Sequence, residues 1–191
     1  MVGQGAGPLP ASATRGWRTN PMRGLVTAEA MSKAWSTTDT GRDSHTQRNR
    51  QPGGRGNSIV WLLWHAARQM DVQTLALGGG ESVWRSGGWA DRLGVDRGER
   101  DFGFGDSVEQ VASLHVRDVP ALGDHLAACI GALTGYLATL DDAALDEVID
   151  DSYDPPVTRG TRLVSIIDDA AVHVGQAAYA RGLLDGWRAA V

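Results

Sequence analysis

The chain has 191 residues, enough for one ordinary domain with a surplus, and its 42% apolar content agrees with a globular body that buries a core. Its longest apolar run, IVWLLW at 59–64, is far short of the roughly 20 residues a membrane helix needs, no signal-peptide pattern opens the chain, and the single Cys129 excludes both a disulfide framework and a multi-cysteine zinc site. The net charge of −5 divides into +5 over residues 1–57 and −10 over 58–191, an acidic body that argues against nucleic acid as the main partner and leaves a cytoplasmic protein as the expectation.

Residues 1–57 form the first expected unit, a disordered or atypical N-terminal segment. The tract TTDTGRDSHTQRNRQPGGRG (37–56) has nothing to bury and reads as disordered, while VTAEAMSKAW (26–35) can form a short helix. Order is expected from residue 58 to the end. NSIVWLLWHAARQMDVQTLAL (57–77) reads as a helix, capped by Asn57 or Ser58, with Trp61/Leu62, His65, Arg68/Gln69, Val72 and Leu75/Ala76 at helical spacing. The glycine-punctuated stretch 78–105 reads as a long loop anchored by Trp84, Trp89, Phe102 and Phe104, of the kind that often serves as a lid. Asp106 and Ser107 with Glu109 and Gln110 offer overlapping capping boxes before a short helix to about Val116. A further helix runs from near Asp118 to Leu140, with Pro120 tolerated in its first turn. DDAALDEVID (141–150) reads as a short acidic helix, DPPV (154–157) as a break, and the last helix spans about 160–184. No useful strand alternation occurs, so the expected class is all-α, with a helical bundle favoured.

The chemistry concentrates in two helices. Asp169 and His173 stand at i and i+4 of the last helix and project from one face a turn apart, and His65 lies in the most apolar helix of the chain. Two imidazoles and a carboxylate are a chemically ordinary ligand set for a divalent transition metal, with positions left open for water or substrate. The alternative is a pair of satisfied core histidines and an exposed aspartate. Arg68, one turn beyond His65, can bind an anionic substrate group or pair with Asp71 or Asp169. Gln176 can orient the site or pack against a neighbouring helix. Asp71 is expected to be solvated or salt-bridged. His125 and His115 are expected to be partly buried structural histidines, Gly175 to permit close helix contact, and Cys129 to be core.

The segment NSIVWLLWHAARQMD, the tryptophan-bearing VWRSGGWADRLGV, DPPVTRGTRLVSII and D-x-x-x-H-x-G-Q at 169–176 together resemble the DinB/YfiT-like superfamily over about 57–184. The resemblance implies a four-helix bundle with a metal triad in which His65 and His173 are ligands. Asp169 stands where the family usually has the first histidine of an H-x-x-x-H pair. As a ligand it would add a negative charge and lower the metal's Lewis acidity; otherwise it marks a site that has lost its metal. The family's first bundle helix should precede NSIVWLLWH, yet residues 1–50 hold no leucine-rich amphipathic segment. A poorly matched or degenerate first helix would leave apolar faces open, with instability or a homodimer formed through the gap as the expected result.

Relatives of this kind include metal-dependent thiol S-transferases and a mycothiol-dependent maleylpyruvate isomerase. The resemblance therefore implies a zinc or nickel ion, a low-molecular-weight thiol such as mycothiol or bacillithiol as co-substrate, and a small electrophile entering under the tryptophan-bearing loop. Arg68 and Gln176 are the candidate contacts to these molecules. The alternative is a non-catalytic ligand-binding or interaction bundle with a decayed metal site.

Overall fold

The structure, a computed structural model, describes residues 48–78 and 81–186. The expected helix at 26–35 lies outside them, as does the tract 37–56 up to residue 47. The end of that tract is held in place by polar contacts. Pro52–Gly54 form a 3-10 turn, the Gln51 side-chain amide donates to the Val108 carbonyl, and the Asn49 side-chain oxygen accepts from the Val116 amide. A segment without apolar residues can still be fixed when its side chains satisfy another segment's backbone.

Among the described residues three long helices dominate. Helix α1, Ile59–Gly78, is started by Ser58, whose hydroxyl accepts from the Trp61 amide. Every residue from Ser58 to Asp71 is buried, so α1 is packed on all sides rather than along one stripe. It is the central element, contacting both α5 (Val119–Leu137) and α7 (Arg159–Asp185). Asp118 caps α5 by accepting from the Ala121 amide, with Pro120 in the first turn, and Thr158 caps α7 by accepting from Thr161.

The stretch expected as a loop contains two short helices, α2 (Val83–Ser86) and α3 (Trp89–Leu93). Ser82 caps α2, and Gly88 and Gly94 flank α3 with positive φ. Trp84 and Trp89 are buried in the core as expected, and Phe102 is half-buried. Phe104 is not an anchor: it is 86% exposed, because the tight turn through Gly103 and Gly105 (φ 80° and 79°) carries it outward. Helix α4 (Val108–Ser113) realises the Ser107–Gln110 capping box and stops short of Val116.

Between α5 and α7 the sequence reading fails in part. Only Asp142–Leu145 are helical (α6), and Val148–Asp150 (β1) pair antiparallel with Val157–Thr158 (β2). Val148 and Ile149 are β-branched, and the intervening Pro155 and Pro156 reverse the chain so that Val157 returns beside them. A two-stranded ribbon thus interrupts what is otherwise, among the described residues, an all-α fold.

Cys129 is fully buried and burial pushes its thiol pKa up, so it is core. Gly175 needs no packing explanation, since a Cβ there would meet nothing within 4 Å. Outside the face that meets α1, α7 exposes Val164, Val172 and Leu183. No helix among the described residues is long and apolar enough to cross a membrane.

Candidate metal centre

His65 from α1 and Asp169 and His173 from α7 meet where these two helices pack. Their potential ligand atoms all lie within 4.8 Å of one another, a grouping that could hold a metal ion. His65 Nε2 is 3.7 Å from Asp169 Oδ2, and His173 Nε2 is 3.5 Å from Asp169 Oδ1. The two imidazoles meet edge to face with centroids 4.5 Å apart. Helical spacing brings Asp169 and His173 together; the crossing of α1 and α7 adds His65.

The electrostatics of His65 limit what this group can be. Its Nδ1 hydrogen-bonds the Phe102 carbonyl, which can only accept, so Nδ1 carries the proton and Nε2 presents a bare lone pair when the ring is neutral. Burial pushes the His65 pKa below its ordinary value, outweighing the Phe102 carbonyl, and so favours that neutral form. With the ring in that neutral form, the 3.7 Å contact to Asp169 is not an ion pair. Asp169 Oδ2 is itself inaccessible and has no hydrogen-bond partner among the described residues. A lone pair facing an unpartnered carboxylate oxygen is unfavourable without a cation between them. The donor set thus fits a divalent metal. The Asp169 side chain remains 38% exposed, leaving an approach from solvent.

His65 is braced by groups that spacing alone does not reveal. The Trp61 ring stacks on it at 4.7 Å with planes 9° apart, and Trp61 Nε1 donates to Asp106 Oδ2 at 2.9 Å. Arg97 clamps Asp106 through two hydrogen bonds of 3.0 and 3.1 Å. Partial burial works against ionisation of Asp106, but bonds from Arg97 and Trp61 hold its pKa below the usual carboxylate range. Gly103 lies so close to Trp61 and Trp64 that a Cβ would meet ring carbons at 3.0 Å. The i−4 position of Trp61 relative to His65 was a readable signal. The Phe102 carbonyl was not, because every residue has one.

Arg68 does not join the triad. Its guanidinium is fully buried, donates to Asp71 at 2.6 Å and to the Asp101 carbonyl at 3.2 Å, also bonds the Glu99 carbonyl, and lies over the Trp84 ring. Of its two expected roles, pairing with Asp71 is the one realised, and this burial leaves the guanidinium no open side for an anionic substrate. Asp71 is accordingly salt-bridged and not solvated; its carboxylate also accepts from the Val83 and Trp84 amides at the start of α2. Gln176 is exposed and reaches His173, with Oε1 2.8 Å from Nδ1. His115 is exposed and bonds the Ser113 carbonyl, because α4 ends before it.

His125 is buried more deeply than expected. It is wedged between Trp84 and Trp89 at 5.3 and 5.0 Å, and neither ring nitrogen has a hydrogen-bond partner among the described residues. Burial above all, with help from Arg68 and Arg92, lowers its pKa to about 3. The folded protein thus leaves His125 neutral while the unfolded chain protonates it below about pH 6.5. The unfolded state then binds more protons, so this residue makes stability fall with decreasing pH between about 6.5 and 3, by at most about 1.4 kcal/mol per unit. Urea unfolding at pH 7 and pH 5 is expected to show a smaller acid loss for His125→Phe than for wild type. Equal losses would refute this assignment.

The comparisons bear on the fold. The model of the DinB superfamily matches residues 29–177, starting upstream of the boundary expected at 57. A crystal structure of a conserved protein from Enterococcus faecalis is similar at 33% identity, covering 84% of this chain and 91% of that one, with a TM-score of 0.73. Among curated proteins no match is found. With the family model spanning most of its length, the chain belongs to the DinB superfamily.

Proposed function

We propose that this protein is a metal-dependent enzyme in which His65, Asp169 and His173 hold a zinc or nickel ion, and that it transfers a low-molecular-weight thiol to a small electrophile. The observation that carries the metal assignment is the pairing of a bare His65 Nε2 with the buried, unpartnered Asp169 Oδ2. A bound divalent ion would supply Lewis acidity, lowering the pKa of a thiol or water so that a nucleophile exists at neutral pH. The chain's own residues shape the surroundings. Trp61 and Phe102 border His65 with aromatic surface and limit water, while the exposed side of Asp169 admits small molecules. The part of the 78–105 stretch next to the site is Phe102, not Trp84 or Trp89, whose burial leaves them no surface for an electrophile.

The test is elemental analysis of protein purified with zinc and nickel supplied, followed by assay of mycothiol and bacillithiol with 1-chloro-2,4-dinitrobenzene. In that reaction a carbon–sulfur bond forms, chloride leaves with its electron pair, and the thiol proton passes to solvent. About one metal per chain and chelator-sensitive conjugate formation are expected. Metal-free wild-type protein would overturn the metal assignment. Stoichiometric metal without conjugation of either thiol would overturn the transferase reading and favour a ligand-binding bundle.

A further inference from the structure

The Gln176 side chain hydrogen-bonds His173 at the nitrogen that decides which way that ring faces. His173 Nδ1 is 2.8 Å from Gln176 Oε1, and on the opposite edge Nε2 is 3.5 Å from Asp169 Oδ1. A neutral imidazole has one N–H, and two arrangements satisfy this neighbourhood. In one, Nδ1–H donates to the Gln176 oxygen and Nε2 offers a lone pair to the centre of the triad. In the other, the Gln176 amide is turned to donate to Nδ1, and Nε2–H points at Asp169 and closes the triad on itself.

The distances separate them. The Gln176 contact has ordinary hydrogen-bond length, while 3.5 Å is well beyond the usual 2.9–3.0 Å for N–H···O. If Nε2 carried a proton towards a carboxylate, that charge-assisted bond would draw in to about 2.8 Å. The other oxygen of Asp169, Oδ2, has no hydrogen-bond partner among the described residues, so it accepts from neither histidine.

We infer that Gln176 is a positioning residue: by accepting from Nδ1–H it fixes His173 in the tautomer whose Nε2 is unprotonated, and so keeps the triad from collapsing into an Asp169–His173 hydrogen bond. An imidazole in water prefers its proton on Nε2, so without this acceptor the ring reverts, donates to Asp169 and blocks the ligand position. The device sits on one helix, three residues from its target, so it operates before any metal arrives. His65 is set the same way by the Phe102 carbonyl, and both rings then aim Nε2 inwards. The tautomer itself is independent of the proposed function; its consequence for affinity rests on that reading.

The test uses the full-length apo protein and three side chains at this exposed position: wild type, Gln176→Leu, which removes the acceptor, and Gln176→Glu, which can only accept. Nitrogen-15 NMR of the imidazoles at about pH 8, above the ordinary histidine pKa of about 6.5, reads the tautomer directly. Wild type and Gln176→Glu are expected to carry the His173 proton on Nδ1, and Gln176→Leu on Nε2. Zinc or nickel titration is expected to show affinity reduced about 10–100-fold in Gln176→Leu, the usual effect of losing a group that orients a metal-bound histidine, and restored in Gln176→Glu. A proton on Nε2 in the wild type, or an unchanged tautomer in Gln176→Leu, would overturn the inference. Wild-type protein that binds neither metal but shows the expected tautomers would support the positioning role while overturning the proposed metal function.

Discussion

Asp71→Ala is expected to destabilise the protein by about 3–5 kcal/mol, the cost of removing one member of a buried ion pair and stranding the other. Arg68 is fully buried, and Asp71 is its only carboxylate partner within ion-pair distance among the described residues. The same substitution strips the Val83 and Trp84 amides of their acceptor and so loosens α2, which seats Trp84 in the core. Arg68→Met should cost less, because Asp71 keeps both amide donors. The double variant Arg68→Met/Asp71→Leu should recover part of the loss, since an apolar pair avoids desolvating two charges. Chemical denaturation of the three variants checks the order. An Asp71→Ala protein within about 1 kcal/mol of wild type would show that the pair is not the strut described here.

His173→Ala is expected to abolish stoichiometric zinc or nickel binding while leaving the apo fold nearly intact. The side chain is at the edge of the α1–α7 contact, and removing it strands no buried partner: Gln176 is exposed and can turn to water. Metal affinity should fall by more than roughly 100-fold, since loss of a group that merely orients a ligand already costs 10–100-fold. His65→Ala should have the same effect on metal and also lower apo stability, because His65 fills buried space beneath Trp61 and satisfies the Phe102 carbonyl. Calorimetric metal titration paired with apo thermal unfolding reads both effects. If metal binding survives in both variants, the ligands lie elsewhere; if apo stability alone changes, the triad is structural.

These two predictions differ in how much of them could be read along the chain. The Asp169–His173 pair was visible because a helix repeats every 3.6 residues, so i and i+4 share a face whatever surrounds them. The caps at Ser58 and Ser107 were legible for the same reason: a hydroxyl placed before a helix meets amides a few residues later. The helix expected over 141–150 failed because its second half is decided by a partner, Val157–Thr158, that lies beyond a proline turn. The choice between the roles expected for Arg68 was not legible, because spacing alone could not show the guanidinium boxed in by carbonyls of Glu99 and Asp101, some thirty residues downstream.

Local spacing by itself determined the helical character of the chain, the positions of its caps and the shared face of Asp169 and His173, because each depends on contacts within a few residues. The resemblance added His65. Only the tertiary structure decided that His65 faces Asp169, that a loop carbonyl sets its protonation, that Arg68 is a strut and that His125 is sealed between tryptophans. Those outcomes depend on desolvation and on distances between segments far apart in sequence, and both come into being only when the helices pack.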